Sequence, residues 1–277
     1  MSASEPGSTG GVRTRPRGRT GDRLLRVYVW LVIAWLLLPI AVMIVFGFND
    51  TQSKSNVSWQ GFTAKWWGRL DEYPQLLDAV DYSLKIALLS VLVTTVLGTL
   101  MGLALGRHRF RGQGATNLMM FAAISSPELV MGASLLSLFI STGVETGFWT
   151  VVIAHVLFSL SFVAITVRAR VVGMDASIEE AARDLGASAW TTFWRITFPM
   201  ILPGVVAGAL LAFALSVDDF VITQFTTGGD VQTFPLWIWG ATRIGVPPQV
   251  NVIGTLIFAA GVAIAVLNAV TARRRGT

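Results

Sequence analysis

Three carboxylates stand in or beside long apolar stretches of this chain: Glu128, Asp218 and Asp219. An ionised carboxylate at the centre of a bilayer costs about 2.5–3.5 kcal/mol on insertion scales, so it faces a cavity or a partner. All three are therefore candidates for a solute path. At 1.5 Å per residue, a straight helix starting near Asn117 sets Glu128 roughly 16 Å in, close to the midplane. Pro127 beside it would loosen that helix and free backbone carbonyls. Asp218 and Asp219 fall about 27 Å along their own run, near its outer end. Successive helical residues point about 100° apart, so only one of this pair faces a given cavity.

Catalytic chemistry has weaker support. Ser134 of the Gly132-Ala-Ser134 run and His155 offer the nucleophile and base of an intramembrane serine protease, but no oxyanion donor accompanies them. His155 reads better as a hydrogen bonder between helices. Two histidines and no cysteine leave no zinc site, and no catalytic residue or metal ligand is expected. The only lysines are Lys54, Lys65 and Lys85, none of them following a Gly-rich phosphate loop, so no nucleotide is expected on this chain.

The elements that must position these residues are membrane spans. Of the 277 residues 53% are hydrophobic and only 13% charged, against about 25% charged in soluble domains. Six apolar runs reach the roughly 20 residues that cross a bilayer: 27–48, 82–106, 116–140, 148–168, 200–222 and 250–270. Hydrocarbon satisfies no backbone groups, so each should be helical and the fold all-α, one membrane domain over 27–270. The first run, Tyr28 to Phe48, is longer than the roughly 7–15 residues of a signal-peptide core and reads as a retained anchor. Residues 1–26 read as a disordered basic tail and 271–277 as a second basic tail. A secondary transporter would show two repeated halves, and none is visible.

Sixteen arginines fall on one side of these spans: six in the N-terminal tail, then Arg107, Arg109, Arg111, Arg168, Arg170, Arg183 and Arg195, and three at the C-terminus. The other side holds Lys54, Lys65, Arg69 and Arg243. The positive-inside rule puts both termini in the cytoplasm, and the pI of 10.2 then reflects topology rather than nucleic-acid binding. Gly98, Gly102 and Gly106, and again Gly204 and Gly208, form small-residue stripes for close helix packing. Trp30, Trp66, Trp67, Trp149, Trp237 and Trp239 fall near span ends, as in an aromatic belt.

Between the fourth and fifth runs, the loop 175–199 predicts a helix–turn–helix outside the membrane. Ile178, Ala181, Ala182 and Leu185 repeat at helical spacing. Ser177 with Glu180 has the pattern of a capping box, and Gly186 permits a sharp turn. Trp190, Phe193, Trp194 and Thr197 continue an apolar face on a second short helix. Asp175, Glu179, Glu180 and Asp184 make the first helix acidic and ill-suited to an anionic leaflet. A groove on a protein partner suits it better.

Glu180-Ala181-Ala182, three residues, Gly186, nine residues, Ile196, one residue and Phe198-Pro199 resembles the EAA motif of ABC importer permeases. Phe198 stands where that pattern usually has Leu. The resemblance implies the type I ABC importer permease fold, with six transmembrane helices and a cytoplasmic coupling helix-turn-helix. It implies that Glu179, Glu180, Ala181, Ala182, Asp184, Gly186 and Ala187 couple to a separate ATPase dimer, which binds the ATP and Mg; this subunit itself needs no cofactor. It also implies a second homologous permease, an extracytoplasmic solute-binding protein, and a multi-pass site in the bacterial cytoplasmic membrane. Phe62-Thr-Ala-Lys-Trp-Trp67, Ser126-Pro-Glu128, Leu215-Ser-Val-Asp-Asp-Phe220 and Gly245-Val-Pro-Pro-Gln-Val-Asn251 resemble the second permease subunit, of PotC/PotI type, in spermidine/putrescine importers. Permeases for organic phosphonates, opines or ferric ion share several of these segments, and the solute stays open between them.

Overall fold

The computed structural model describes the backbone of residues 19–275 and the side chains of 22–267 and Val270. It is helical throughout: α1 (Arg19–Phe46), α2 (Pro74–Arg107), α3 (Gln113–Ser125), α4 (Glu128–Ser141), α5 (Phe148–Val172), α6 (Ser177–Asp184), α7 (Ala189–Thr192), α8 (Phe198–Asp218), α9 (Val221–Thr226), α10 (Phe234–Ala241) and α11 (Pro248–Arg275). Among the described residues, five helical stretches are long and apolar enough to cross a membrane. There are six if α3 and α4, bent 109° to one another, count as a single span.

The run expected over 116–140 is thus present as a sharply bent pair of helices rather than one continuous helix. Pro127 has no N–H to give and disfavours helical backbone at the residue before it. Ser126 is accordingly extended (φ −72°, ψ 133°), and α3 ends at Ser125. The run expected over 200–222 also breaks. It stops at Asp218, Asp219 turns extended (φ −64°, ψ 126°), and the chain resumes as α9. At its other end it is longer than expected, because α7 joins α8 through a π-helical turn, Phe193–Thr197, giving one stretch from Ala189 to Asp218.

The first span starts at Arg19 rather than 27, so residues 19–26 of the expected tail are helical; residues 1–18 lie outside the described residues. Arginine and leucine are good helix formers, and they outweigh the single Gly21 in that stretch. Pro74 at the first turn likewise starts α2 ahead of the expected 82. The expected C-terminal tail 271–277 is helical as far as Arg275.

The core is a bundle of α2, α5 and α8. Val163, Val167 and Val171 of α5 interlock with Ile201, Val205 and Ala212 of α8. The glycine stripes serve this contact. A Cβ on Gly102 would sit 2.8 Å from the Ala164 carbonyl oxygen, and one on Gly98 2.7 Å from Val163. Gly204 and Gly208 meet Arg170 and Val163 in the same way. Close approach of backbones is what small residues supply inside a membrane. α1 lies outside this bundle with its apolar side chains exposed; it touches α11, where Met43 lies over Gly254.

Candidate functional site: an intramembrane carboxylate group and a cytoplasmic coupling segment

Each candidate carboxylate stands at one of the two helix breaks. Glu128 is the first residue of α4, where a negative charge suits the helix dipole, and its side chain is exposed. It lies within electrostatic reach of Asp219 and Asp218. This differs from the expected site in the middle of a continuous helix: Glu128 stands at the corner between α3 and α4.

Asp218 and Asp219 diverge, as expected, but the cause is the break between them: Asp218 ends α8 and Asp219 is extended. Asp218, the last residue of α8, is exposed towards a cavity of about 370 Å³ walled by Phe234, Pro235, Ile238, Gly254 and Ile257. Asp219 is buried, 7% exposed, and folds back on α9. Its carboxylate accepts from the Ile222 N–H at 3.3 Å, the Thr223 N–H at 2.8 Å and the Thr223 hydroxyl at 2.6 Å. A side chain that offers the next turn such acceptors competes with continuation of the helix, which explains a break with neither Pro nor Gly in it.

A polar network surrounds Asp219 that sequence reasoning had not assembled. His155 of α5 contacts Ser216 Oγ through Nδ1 at 2.7 Å. Its Nε2 is 2.9 Å from Thr223 Oγ1 and 3.3 Å from Asp219 Oδ2. Ser90 of α2 approaches Ser216 Oγ at 3.3 Å. One neutral tautomer satisfies the ring: the Ser216 hydroxyl donates to Nδ1, Nε2–H donates towards Thr223 and Asp219, and the Thr223 hydroxyl donates to Asp219. The interhelical role expected of His155 is thus realised across α2, α5, α8 and α9. The signal available was the run of Ser and Thr on apolar helices, which by itself names no partners.

The same geometry removes the protease reading. Ser134 is on an exposed face of α4, while His155 is buried and engaged with Ser216 and Thr223. Ser216, His155 and Asp219 have the composition of a hydrolytic triad, but all three are buried, and no substrate carbonyl can approach.

On the opposite side, Gly186 turns the chain after α6 with φ +84°, a left-handed conformation suited to glycine. The start of α6 differs from the expected capping box. Asp175 Oδ1, not the Ser177 side chain, takes the leading N–H, that of Ser177, at 2.9 Å. That bond holds the Asp175 carboxyl below its usual range. The candidate coupling residues divide by direction. Glu180, Ala181, Asp184 and Gly186 are exposed, while Ala182 is buried and Glu179 turned inward. The expected single apolar stripe divides too: Ile178 and Leu185 are exposed, the latter 89%, and only Ala182 packs inward. Trp190 and Trp194, ring centroids 5.6 Å apart, add to the outward apolar surface.

A polytopic helical bundle with charged breaks in its spans and a turned, outward-facing segment between α5 and α8 has the architecture of a membrane transport component. Residues 95–273 match the family model described as binding-protein-dependent transport system inner membrane component, and this chain belongs to that family. It is 39% identical to the spermidine/putrescine transport system permease protein PotC of Escherichia coli strain K12, over 91% of this chain and 95% of the relative. The putrescine transport system permease protein PotI of the same strain is 36% identical, with 84% and 85% covered. Among solved structures, a bacterial ABC transporter involved in the import of the acidic polysaccharide alginate superposes with a TM-score of 0.65 at 16% identity. That match covers 94% of this chain and 99% of the other. The protein is thus a non-catalytic, multi-pass inner-membrane permease subunit that works in an ABC transporter complex with a binding protein and an ATPase.

Proposed function

We propose that this chain forms half of the translocation pathway of an importer for polyamines, spermidine or putrescine. A second homologous permease completes the pathway, both termini are cytoplasmic, and an ATPase dimer holds the ATP and Mg. The exposed residues of the coupling segment, Glu180, Ala181, Asp184 and Gly186, face that dimer. The observation that carries the polyamine reading is the cavity beside Asp218: apolar walls with a single carboxylate, which is within electrostatic reach of Glu128. A polyamine is a chain of methylenes punctuated by ammonium groups. Such a cavity shields the methylenes, while the carboxylates replace hydration lost by the ammoniums. A phosphonate would be repelled by the same group. A ferric ion would need a ligand cluster, and among the described residues no three His, Asp or Glu are arranged to hold a metal. The relatives named for spermidine and putrescine support the same choice.

The test is uptake of labelled spermidine and putrescine by the reconstituted complex, with an organic phosphonate and an opine as competitors. Polyamine uptake should be unaffected by either competitor. In Glu128→Gln and in Asp218→Asn it should fall about tenfold, the consequence of losing about 1.4 kcal/mol of transition-state stabilisation. Polyamine uptake at the unmodified rate in both variants, with the complex intact, would remove the carboxylates from the path. Competition by the phosphonate or the opine would reassign the solute.

A further inference from the structure

α6 has eight residues, and six of them are exposed; only Ala182 and Glu179 are not. Ala182 is too small to fasten a helix by itself. Glu179 supplies the side-chain hydrogen bonds from α6 to the membrane bundle, and its partners come from two different spans. Arg107, the last residue of α2, donates from Nη2 to Glu179 Oε1 at 2.9 Å. Thr197, the last residue of the π-helical turn leading into α8, donates its hydroxyl to the same oxygen at 2.7 Å. Arg183 lies 3.9 Å from the other carboxylate oxygen, on the exposed face.

Both central side chains are shielded, Glu179 13% exposed and Arg107 18%. Charge-assisted bonds in such a setting are stronger than those at an open surface. Packing does little to help them. The joint runs along one wall of a cavity of about 550 Å³ lined also by Leu103, Thr192 and Phe193. Within it, Arg107 Nε and Thr192 Oγ1 are buried without a hydrogen-bond partner among the described residues. A helix held over a cavity by one carboxylate depends on that carboxylate for its orientation. The π turn fits this assignment: such insertions occur at functional sites and shift the residues after them around the helix axis.

We propose that Glu179 is a positioning residue and not an ATPase contact: it clamps α6 to the end of α2 and to the head of α8, so that the three move as one body when the ATPase pulls on the segment. This rests on reading the segment as the docking site for the ATPase, and is independent of which solute is carried. The adjoining Glu180, which is exposed, is left to the partner.

The sequence contains no cysteine, so spin labels can be placed at Leu100→Cys on α2 and Ser177→Cys on α6. The label-to-label distance is then read by pulsed electron resonance in the full complex, its partners freed of cysteine, with and without ATP and with no solute added. The expected result is one narrow distance that is the same in both nucleotide states. Glu179→Ala should broaden or split it while the ATPase still co-purifies, and Glu179→Gln, which keeps the acceptor oxygen, should preserve it. Arg107→Ala should broaden it as Glu179→Ala does, and the double variant should be no broader than either single one. If Glu179→Ala fails to insert, Arg107→Ala carries the same expectation. The proposal is overturned by an unchanged distance in Glu179→Ala or Arg107→Ala, by a distance in the unmodified chain that changes with ATP, or by loss of the ATPase from the Glu179→Ala complex.

Discussion

Two adjacent aspartates with the same chemistry hold opposite positions here, and the difference lies in what each carboxylate touches. Asp219 satisfies two backbone N–H groups and the Thr223 hydroxyl and lies beside the His155 ring. Asp218 faces an apolar cavity whose other lining residues, among those described, are all uncharged. Truncating the first strands buried donors, while neutralising the second alters the environment of whatever enters the cavity. Asp219→Ala should therefore destabilise the purified protein by about 1–3 kcal/mol, the usual cost of leaving buried polar groups unpaired. It should be read as a lower midpoint of thermal unfolding in detergent. Asp218→Ala should leave the midpoint nearly unchanged and still lose uptake. Equal midpoints for the two variants would mean that the network around Asp219 holds nothing in place.

At the scale of elements, the spans and the coupling segment were legible because each rests on a pattern the chain writes plainly. Runs of about 20 apolar residues can be little else in a membrane protein, and the glycine stripes announce close contact, although only the structure shows that both stripes meet α5. The breaks were legible in unequal degree. Pro127 was visible as a weak point, yet the depth assigned to Glu128 assumed a helix running through it. The break at Asp219 had no visible cause, since it depends on a carboxylate folding back on α9 and on a histidine from a distant span. Long-range polar contacts of that kind have no periodicity to read. Gly186 had both kinds of support, a motif position and a turn, and its φ of +84° makes the turn costly for other residues. A β-branched side chain there is strained by more than the roughly 1–2 kcal/mol of an ordinary left-handed residue. Gly186→Val should insert normally, because a Cβ meets nothing within 4 Å, but re-aim the segment. Yield in the membrane should match the unmodified chain, while the amount of ATPase recovered with it should drop several-fold. Undiminished recovery would detach this turn from docking.

For the whole molecule, sidedness is an expectation that joins the grouping of the loops to their charge. Contacts sort the loops into two sets without reference to charge. Asn56 donates its N–H to the Val246 carbonyl, the Gln249 side chain reaches Glu72, and Thr150 Oγ1 donates to the Thr226 carbonyl. These contacts bring together the stretches that follow α1 and α10, precede α2, α5 and α11, and follow α9. Arg107 with Glu179, and Arg168 with Asn117, tie the end of α2 to α6 and the end of α5 to α3. The second set is the one rich in arginine; the first holds Lys54, Lys65, Arg69 and Arg243. A membrane potential and the insertion machinery retain arginine in the cytoplasm, so the second set should face inward. Cysteines introduced singly at Lys54, Glu145, Gly229 and Arg111 probe this directly, since each position is exposed and the chain has no thiol of its own. In intact cells, a membrane-impermeant maleimide should modify the first three, and Arg111→Cys only after the membrane is opened. Modification of Arg111→Cys in intact cells, with Lys54→Cys protected, would invert the orientation and place the coupling segment on the wrong side of the membrane for a cytoplasmic ATPase.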